Sequence, residues 1–232
     1  MRLSNCFVSS FCIFLFDSCL YSEIAEEEEK RMSLPYFDYC QQLERKLRIE
    51  EPLMEQAGRW IATQIHRGGC LHIFASHTLQ GIAYEFWQQS PKILPTQLIE
   101  HPAAGIYESL EGTGQAIIEQ INAQPEDIFL LLSNEGRNPA IIELAEWVKE
   151  QGHLLIVITG FDLSRSIKSR HSSGLRLYEY ADLVLDNYAT IDDAVLTVPK
   201  FEPAICGTAS LATLILLQQI VYFSVYYLLE ND

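Results

Sequence analysis

Short apolar runs alternate along this chain with stretches of helical period, and that alternation constrains the fold more than any other feature. Leu71 to Ala75 (LHIFA), Gln97 to Glu100, Ile128 to Ser133, Leu154 to Thr159 and Leu183 to Asp186 have the length of strands. The central ones lack polar alternation, as strands buried on both faces do. Between them Leu79 to Gln89, Gln115 to Ala123 and Pro139 to Gln151 read as helices. Ahead of them, a segment opened by Pro52 puts Leu53, Ala57, Trp60, Ile61 and Ile65 on one helical face and stops at Gly68-Gly69. The order βαβαβαβ predicts right-handed crossovers and an α/β fold, a three-layer αβα sandwich around a five-stranded, doubly wound parallel sheet. Ligands of such sheets bind beyond the carboxyl ends of the strands.

With 232 residues, 48% of them apolar and 20% charged, the chain can bury one sizeable core. Its formal charge of −15 and its lack of any Lys/Arg run argue against a nucleic-acid partner. A small anion is still open to it, because backbone amides at a helix start bind phosphate whatever the global charge. The six cysteines form no C-x-x-C pair, and the six histidines show no metal-ligand spacing. Neither a metal nor a cofactor is expected. The apolar stretch Thr208 to Leu229 is interrupted by Gln218 and Gln219, which favours a buried or dimer-forming helix over a membrane span.

Residues 6 to 20 are also apolar, but Asp17 interrupts them and no small-residue cleavage site follows, which argues against a signal peptide. The run Glu26-Glu27-Glu28-Glu29-Lys30-Arg31 just before Met32 must be encoded almost wholly by purines, as a bacterial ribosome-binding site is. Residues 1 to 31 therefore read as a non-native leader, and residues 32 to 232 as one domain with an N-terminal helical extension.

Three loops carry candidate chemistry. Ser133-Asn134-Glu135-Gly136-Arg137-Asn138-Pro139 runs from a buried strand into a helix. Gly136 allows a tight turn, Asn138 and Pro139 suit the N-cap and first helical positions, and the helix start adds free N–H groups. Ala75-Ser76-His77-Thr78 follows the first strand and brings hydroxyls and an imidazole to the same sheet edge. Ser76, His77, Thr78, Ser133, Asn134, Glu135, Gly136, Arg137 and Asn138 are thus the candidate ligand-binding set. Each loop also has a purely structural reading, with Asn138 and Thr78 as caps and His77 as a surface histidine. The third loop, Ser169 to Arg176, brings Arg170, His171 and Arg176 to an acidic protein. Gly112-Thr113-Gly114 is only a lone G-x-G.

Taken together, S-N-E-G-R-N at Ser133 to Asn138, S-R-H-S-S-G-L-R-L-Y at Ser169 to Tyr178 and A-D-L-V-L-D-N at Ala181 to Asn187 resemble the sugar isomerase (SIS) domain family over roughly residues 36 to 229. The similarity is greatest to the family's bacterial phosphosugar-binding branch. It implies a phosphosugar ligand gripped by Ser133, Gly136, Asn138, Ser76 and Thr78, and a cytoplasmic homodimer. The chain departs from the family pattern at Glu135, where Ser or Thr is usual, and at Ala75-Ser76-His77, where the first loop is usually glycine-rich. A carboxylate at 135 repels phosphate unless Arg137, Arg170 or His171 compensates.

Three functions stay open on this reading. An isomerase or lyase of sugar phosphates would need a positioned acid and base, for which Glu85 and His171 are the catalytic candidates. A non-catalytic phosphosugar sensor would need only the grip. A degenerate dimerisation domain would need neither. For the leader, the expected result is an intact mass, from protein made off the native gene, that begins at Met32; a mass including residues 1 to 31 refutes it.

Overall fold

A computed structural model provides the fold, described over residues 34–90 and 93–230. The apolar run at 6 to 20 and the start at Met32 lie outside the described residues. The chain falls into two compact units, Met1–Asp38 and Tyr39–Asp232. Of the first, the described residues contribute only the opening of helix α1 (Pro35–Leu47).

The second unit continues with α2 (Glu51–His66), β1 (Leu71–Ala75), α3 (Gln80–Gln89), β2 (Thr96–Leu98), the short α4 (Thr113–Ile118), β3 (Ile128–Leu132) and α5 (Pro139–Glu150). Next come β4 (Leu154–Thr159), the short α6 (Phe161–Ser166), β5 (Leu183–Asp186), the pair β6 (Leu196–Val198) and β7 (Phe201–Ile205), and the long α7 (Ala209–Glu230). β1 to β5 form one parallel sheet in the order β2-β1-β3-β4-β5. This is the doubly wound sheet the alternation predicts.

The central strands are largely apolar because both faces are covered. One face presents Leu71, Ile73, Ile128, Leu130, Ile156, Ile158 and Leu185 to α2, α3 and α7. The other presents Phe74, Phe129, Leu131, Leu155 and Val157 to α4 and α5. In α7, Ala209, Ala212, Thr213, Leu216, Leu217, Ile220 and Ser224 are buried. By length and composition this helix could cross a membrane. Its buried side packs into the core against α2 and the sheet.

Departures from the expected elements have local causes. β2 covers Thr96–Leu98 rather than Gln97 to Glu100, because as an edge strand it pairs with β1 alone, from Leu71↔Thr96 to Ile73↔Leu98. α4 is six residues long, shorter than the expected Gln115 to Ala123. The β6–β7 hairpin left no signal: its residues are mostly exposed, Pro203 breaks the strand pattern, and Lys200 turns it with φ 68°. At the amino end of the sheet the buried Asp127 takes hydrogen bonds from Cys70 N–H (2.7 Å), Gln124 N–H (2.8 Å) and His72 Nε2 (2.8 Å), with His72 stacked on Phe129.

The α2–α7 crossing is close because position 58 is glycine: a Cβ there would sit 2.4 Å from Phe223 Cβ and 2.9 Å from Ser224 N. Neither contact can be relieved by swinging a flexible side chain. Gly58→Ala therefore lowers stability by about 1–3 kcal/mol despite alanine's better helix propensity. Denaturant unfolding checks this; an unchanged or raised midpoint would contradict the packing.

Candidate functional site

β1 and β3 lie side by side in the middle of the sheet, and the connection leaving β1 runs to β2 on one side while that leaving β3 runs to β4 on the other. That is the switch point where loops splay apart and leave a crevice at the carboxyl ends of the strands. A cleft of about 330 Å³ opens there. Its wall includes Ser76, His77 and Thr78 after β1, Ser133, Asn134, Glu135 and Arg137 after β3, Arg170, and Thr190, Asp192 and Asp193 after β5.

The Ser133 loop is internally braced. Ser133 Oγ accepts the Gly136 N–H at 3.0 Å, and Gly136 adopts φ 59°. A Cβ at that position would approach Ser164 Oγ at 3.0 Å and Leu177 Cβ at 3.2 Å, so both the dihedral and the space favour glycine. Glu135 is gripped by Arg137 in a two-pronged pair, Nε to Oε2 at 2.6 Å and Nη2 to Oε1 at 3.1 Å. The compensating cation for the carboxylate is therefore a neighbour on the same loop. Asn134 Oδ1 accepts a hydrogen bond from the fully buried Asn187 at 2.8 Å.

Two expected caps do other work. Asn138 stands at the N-cap of α5 with extended dihedrals, but its side chain does not cap the helix. Its Nδ2 donates to Glu108 Oε1 and its Oδ1 accepts from Arg170 Nη1, each at 3.0 Å. Thr78 lies inside a 3-10 turn, His77–Leu79, that precedes α3, so it is not the residue before that helix.

Glu108 is the residue that sequence reasoning missed. It sits on an irregular stretch between β2 and α4 whose sequence, HPAAGIYESLEG, has no period to flag it. Only 3% exposed, its carboxylate receives Ser76 Oγ at 2.7 Å, the His77 N–H at 3.4 Å and Asn138. His77 Nε2 lies 2.6 Å from Oε1 and His101 Nε2 lies 3.3 Å from Oε2, both as ion-pair contacts without the alignment of a hydrogen bond. Burial alone would raise its pKa, but the approach of His101, the Ser76 hydrogen bond and the charges of His77 and His101 outweigh it and hold the group below the ordinary carboxylate value.

The remaining candidates lie apart from this cleft wall. Glu85 is exposed on α3 and accepts a hydrogen bond from Gln89 Nε2 at 3.2 Å. His171 pairs Nδ1 with Ser173 Oγ at 2.8 Å, and its Nε2 is 3.9 Å from Glu143. Arg176 is held by Glu179 and by the carbonyls of Arg165 and Ile167. Of the three basic residues on that loop, Arg170 is the one that reaches the cleft wall. The Gly112 and Gly114 amides are occupied by the chain's own Glu143, whose oxygens accept Gly112 N–H at 2.5 Å and Gly114 N–H at 2.6 Å. On the far rim Asp193 Oδ1 accepts the N–H groups of Thr208 and Ala209, each at 3.0 Å, at the start of α7. Among the described residues no group of three or more His, Cys, Asp or Glu side chains is placed to hold a metal.

Because the folded-state pKa of Glu108 is depressed, its ionised form adds stability at neutral pH that is lost as pH falls through that value. Glu108→Gln should cost about 1–3 kcal/mol at pH 7, with the gap to the parent protein narrowing in acid. Denaturation midpoints at pH 7 and pH 3 test this, and an equal gap at both would show that the carboxylate's charge is not what matters.

The geometry agrees with what the chain is similar to. The model of the SIS domain matches residues 35–160. A UPF0309 protein of Listeria monocytogenes serovar 1/2a is 42% identical over 201 residues, covering 86% of each chain. A UPF0309 protein of Geobacillus kaustophilus is 29% identical over 198 residues, covering 82% of this chain and 79% of the other. Among solved structures, the phosphoheptose isomerase of Neisseria gonorrhoeae superposes with a TM-score of 0.58 at 12% identity, covering 88% of this chain and 99% of that one. The phosphoheptose isomerase of Francisella tularensis superposes with a TM-score of 0.54 at 17% identity, covering 84% and 98%. At those identities the superpositions speak for the fold, and with the matched domain and the Listeria relative the conclusion is plain: the chain belongs to the SIS domain family.

Proposed function

We propose that the cleft binds a phosphorylated sugar, its phosphate held by the Ser133–Asn138 loop together with Arg170. The observation that carries this reading is the Glu135–Arg137 pair, which neutralises the one group on the loop that would repel an anion. With that charge answered, the cleft offers hydroxyls from Ser76, Thr78 and Ser133 and the Arg170 guanidinium. The positive end of α5, a helix of 12 residues, starts directly after the loop. The named activity of the two solved neighbours, isomerisation of a phosphoheptose, fits the same ligand class.

Within this reading the activity is isomerisation of a sugar phosphate or a lyase reaction on one, carried out in the cytoplasm by a homodimer. The exposed Tyr222, Tyr226 and Leu229 of α7 support a subunit contact.

Thermal unfolding against pairs of phosphorylated and plain sugars tests the grip, since a ligand of the native state at 100 times its Kd adds about 2.7 kcal/mol. A phosphorylated hexose, pentose or heptose should raise the transition where its plain sugar does not. Loss of a charge-assisted contact in Arg170→Ala should weaken that ligand by roughly 10- to 100-fold. No shift with any phosphosugar would overturn the assignment.

A further inference from the structure

We infer that the protein has a second ligand site, a cavity at the β2 edge of the sheet anchored by His101, which takes a small uncharged molecule with an apolar body and a hydroxyl or carboxamide group. The cavity holds about 350 Å³ between α3 and the chain leaving β2. Ligand pockets span roughly 300–1,000 Å³, so it is large enough for a small molecule. It shares no lining residue with the cleft around Ser133, and the two are separate sites.

The observation that points to a ligand is an imidazole left without a partner. His101 lines the cavity with its side chain only 3% exposed, and neither ring nitrogen has a hydrogen-bond partner among the described residues. Nε2 has the unaligned contact with Glu108 Oε2 at 3.3 Å. The ring centroid lies 4.7 Å from that of Phe74, an apolar neighbour with no hydrogen bond to give. A buried polar group normally finds a partner, and one without it has lost its hydration for nothing in return. A molecule in the cavity is placed to supply that partner.

The rest of the wall fixes the class of molecule. Ala83, Leu98 and Ile99 make it largely apolar, which suits a hydrocarbon ring or chain. Among the described lining residues there is no lysine or arginine, Glu100 brings one carboxylate, and Glu108 brings another beside the His101 ring. An anion would meet both carboxylates and no fixed cation, so phosphates and carboxylates do not suit this cavity. A neutral imidazole presents one donor and one acceptor, and a protonated one two donors. A hydroxyl or carboxamide both donates and accepts, so it answers the unpartnered ring in any of these forms.

The wall beside His101 is a strained turn. Within Pro102–Gly105, Ala103 and Ala104 adopt φ 50° and 53°, a left-handed conformation that alanine enters at a cost. A Cβ at Gly105 would come 2.6 Å from Gln80 Nε2 and 3.6 Å from His101 Cδ2, so the turn closes directly onto the ring and onto α3. A shift of this turn uncovers the ring nitrogens to the occupant.

The experiment titrates the full chain with benzamide, benzyl alcohol, benzoate and ethylbenzene, probes of similar size, following the imidazole nitrogens of histidine-labelled protein by NMR and stability by thermal shift. The signals lost in His101→Phe, which keeps a ring against Phe74, identify His101. Benzamide and benzyl alcohol should move those signals saturably and raise the transition. Benzoate and ethylbenzene should bind about 10-fold more weakly, and His101→Phe should weaken benzamide by about the same factor. Gly81 lines the cavity on α3 and a Cβ there meets nothing within 4 Å, so Gly81→Leu should fold and fill the space, leaving His101 signals that no longer respond. No movement of the His101 nitrogens with benzamide or benzyl alcohol overturns the site. An undiminished response in Gly81→Leu puts the probes elsewhere and overturns it too. Benzoate binding as tightly as benzamide overturns the class of ligand, and ethylbenzene doing so overturns His101 as the anchor.

Discussion

A buried carboxylate at the mouth of a sheet is expensive unless donors surround it, and the upper half of this molecule is organised around meeting that requirement at Glu108. Its oxygens take Ser76 and His77 from the loop after β1 and Asn138 from the loop after β3, while its carbonyl takes the Ala140 N–H at 3.2 Å from the first turn of α5. Two neighbouring strands and a helix are thereby tied to one residue of an otherwise irregular connection. Arg170, through its bond to Asn138, joins the same network one step out. The positions of the loops that face the cleft are thus not independent of one another; each is satisfied only if the others are in place.

The opposite end of the sheet has a second buried carboxylate, and the contrast is instructive. Asp127 is enclosed by Cys70, Gln124 and His72, and His72 is itself buried and stacked on Phe129. Asp127 and His72 are both buried, and the work of the arrangement is to hold the strand ends together. The Glu108 network uses similar chemistry, but one member, His77, emerges into the cleft. Similar local chemistry serves closure at the amino ends of the strands and access at their carboxyl ends.

The sheet was legible because its strands are buried on both faces and so read as bare apolar runs: β1, β4 and β5 match their expected limits residue for residue. Elements without a burial signature were not legible, namely the exposed β6–β7 hairpin and the short α6. The two polar loops could be found because hydroxyls, amides and glycine cluster in them between a strand and a helix. What those side chains hold could not. Asn138 and Thr78 carry good capping chemistry, and sequence has no way to show that Asn138 is engaged by a glutamate 30 positions earlier or that a 3-10 turn moves Thr78 off the cap. Glu108 was invisible for the same reason, since its importance lies wholly in partners brought together by the fold. The same holds for the lone G-x-G, whose amides meet Glu143 from the next helix.

Asp193 links the cleft to the longest helix. It stands on the far rim while its carboxylate serves as the N-terminal cap of the 22-residue α7. A ligand that drew Asp193 toward itself would have to uncap that helix, a loss of about 1 kcal/mol. The rim is in effect moored to the amino end of a rod about 33 Å long that lies along the core, so moving this wall of the cleft costs about what one helix cap is worth.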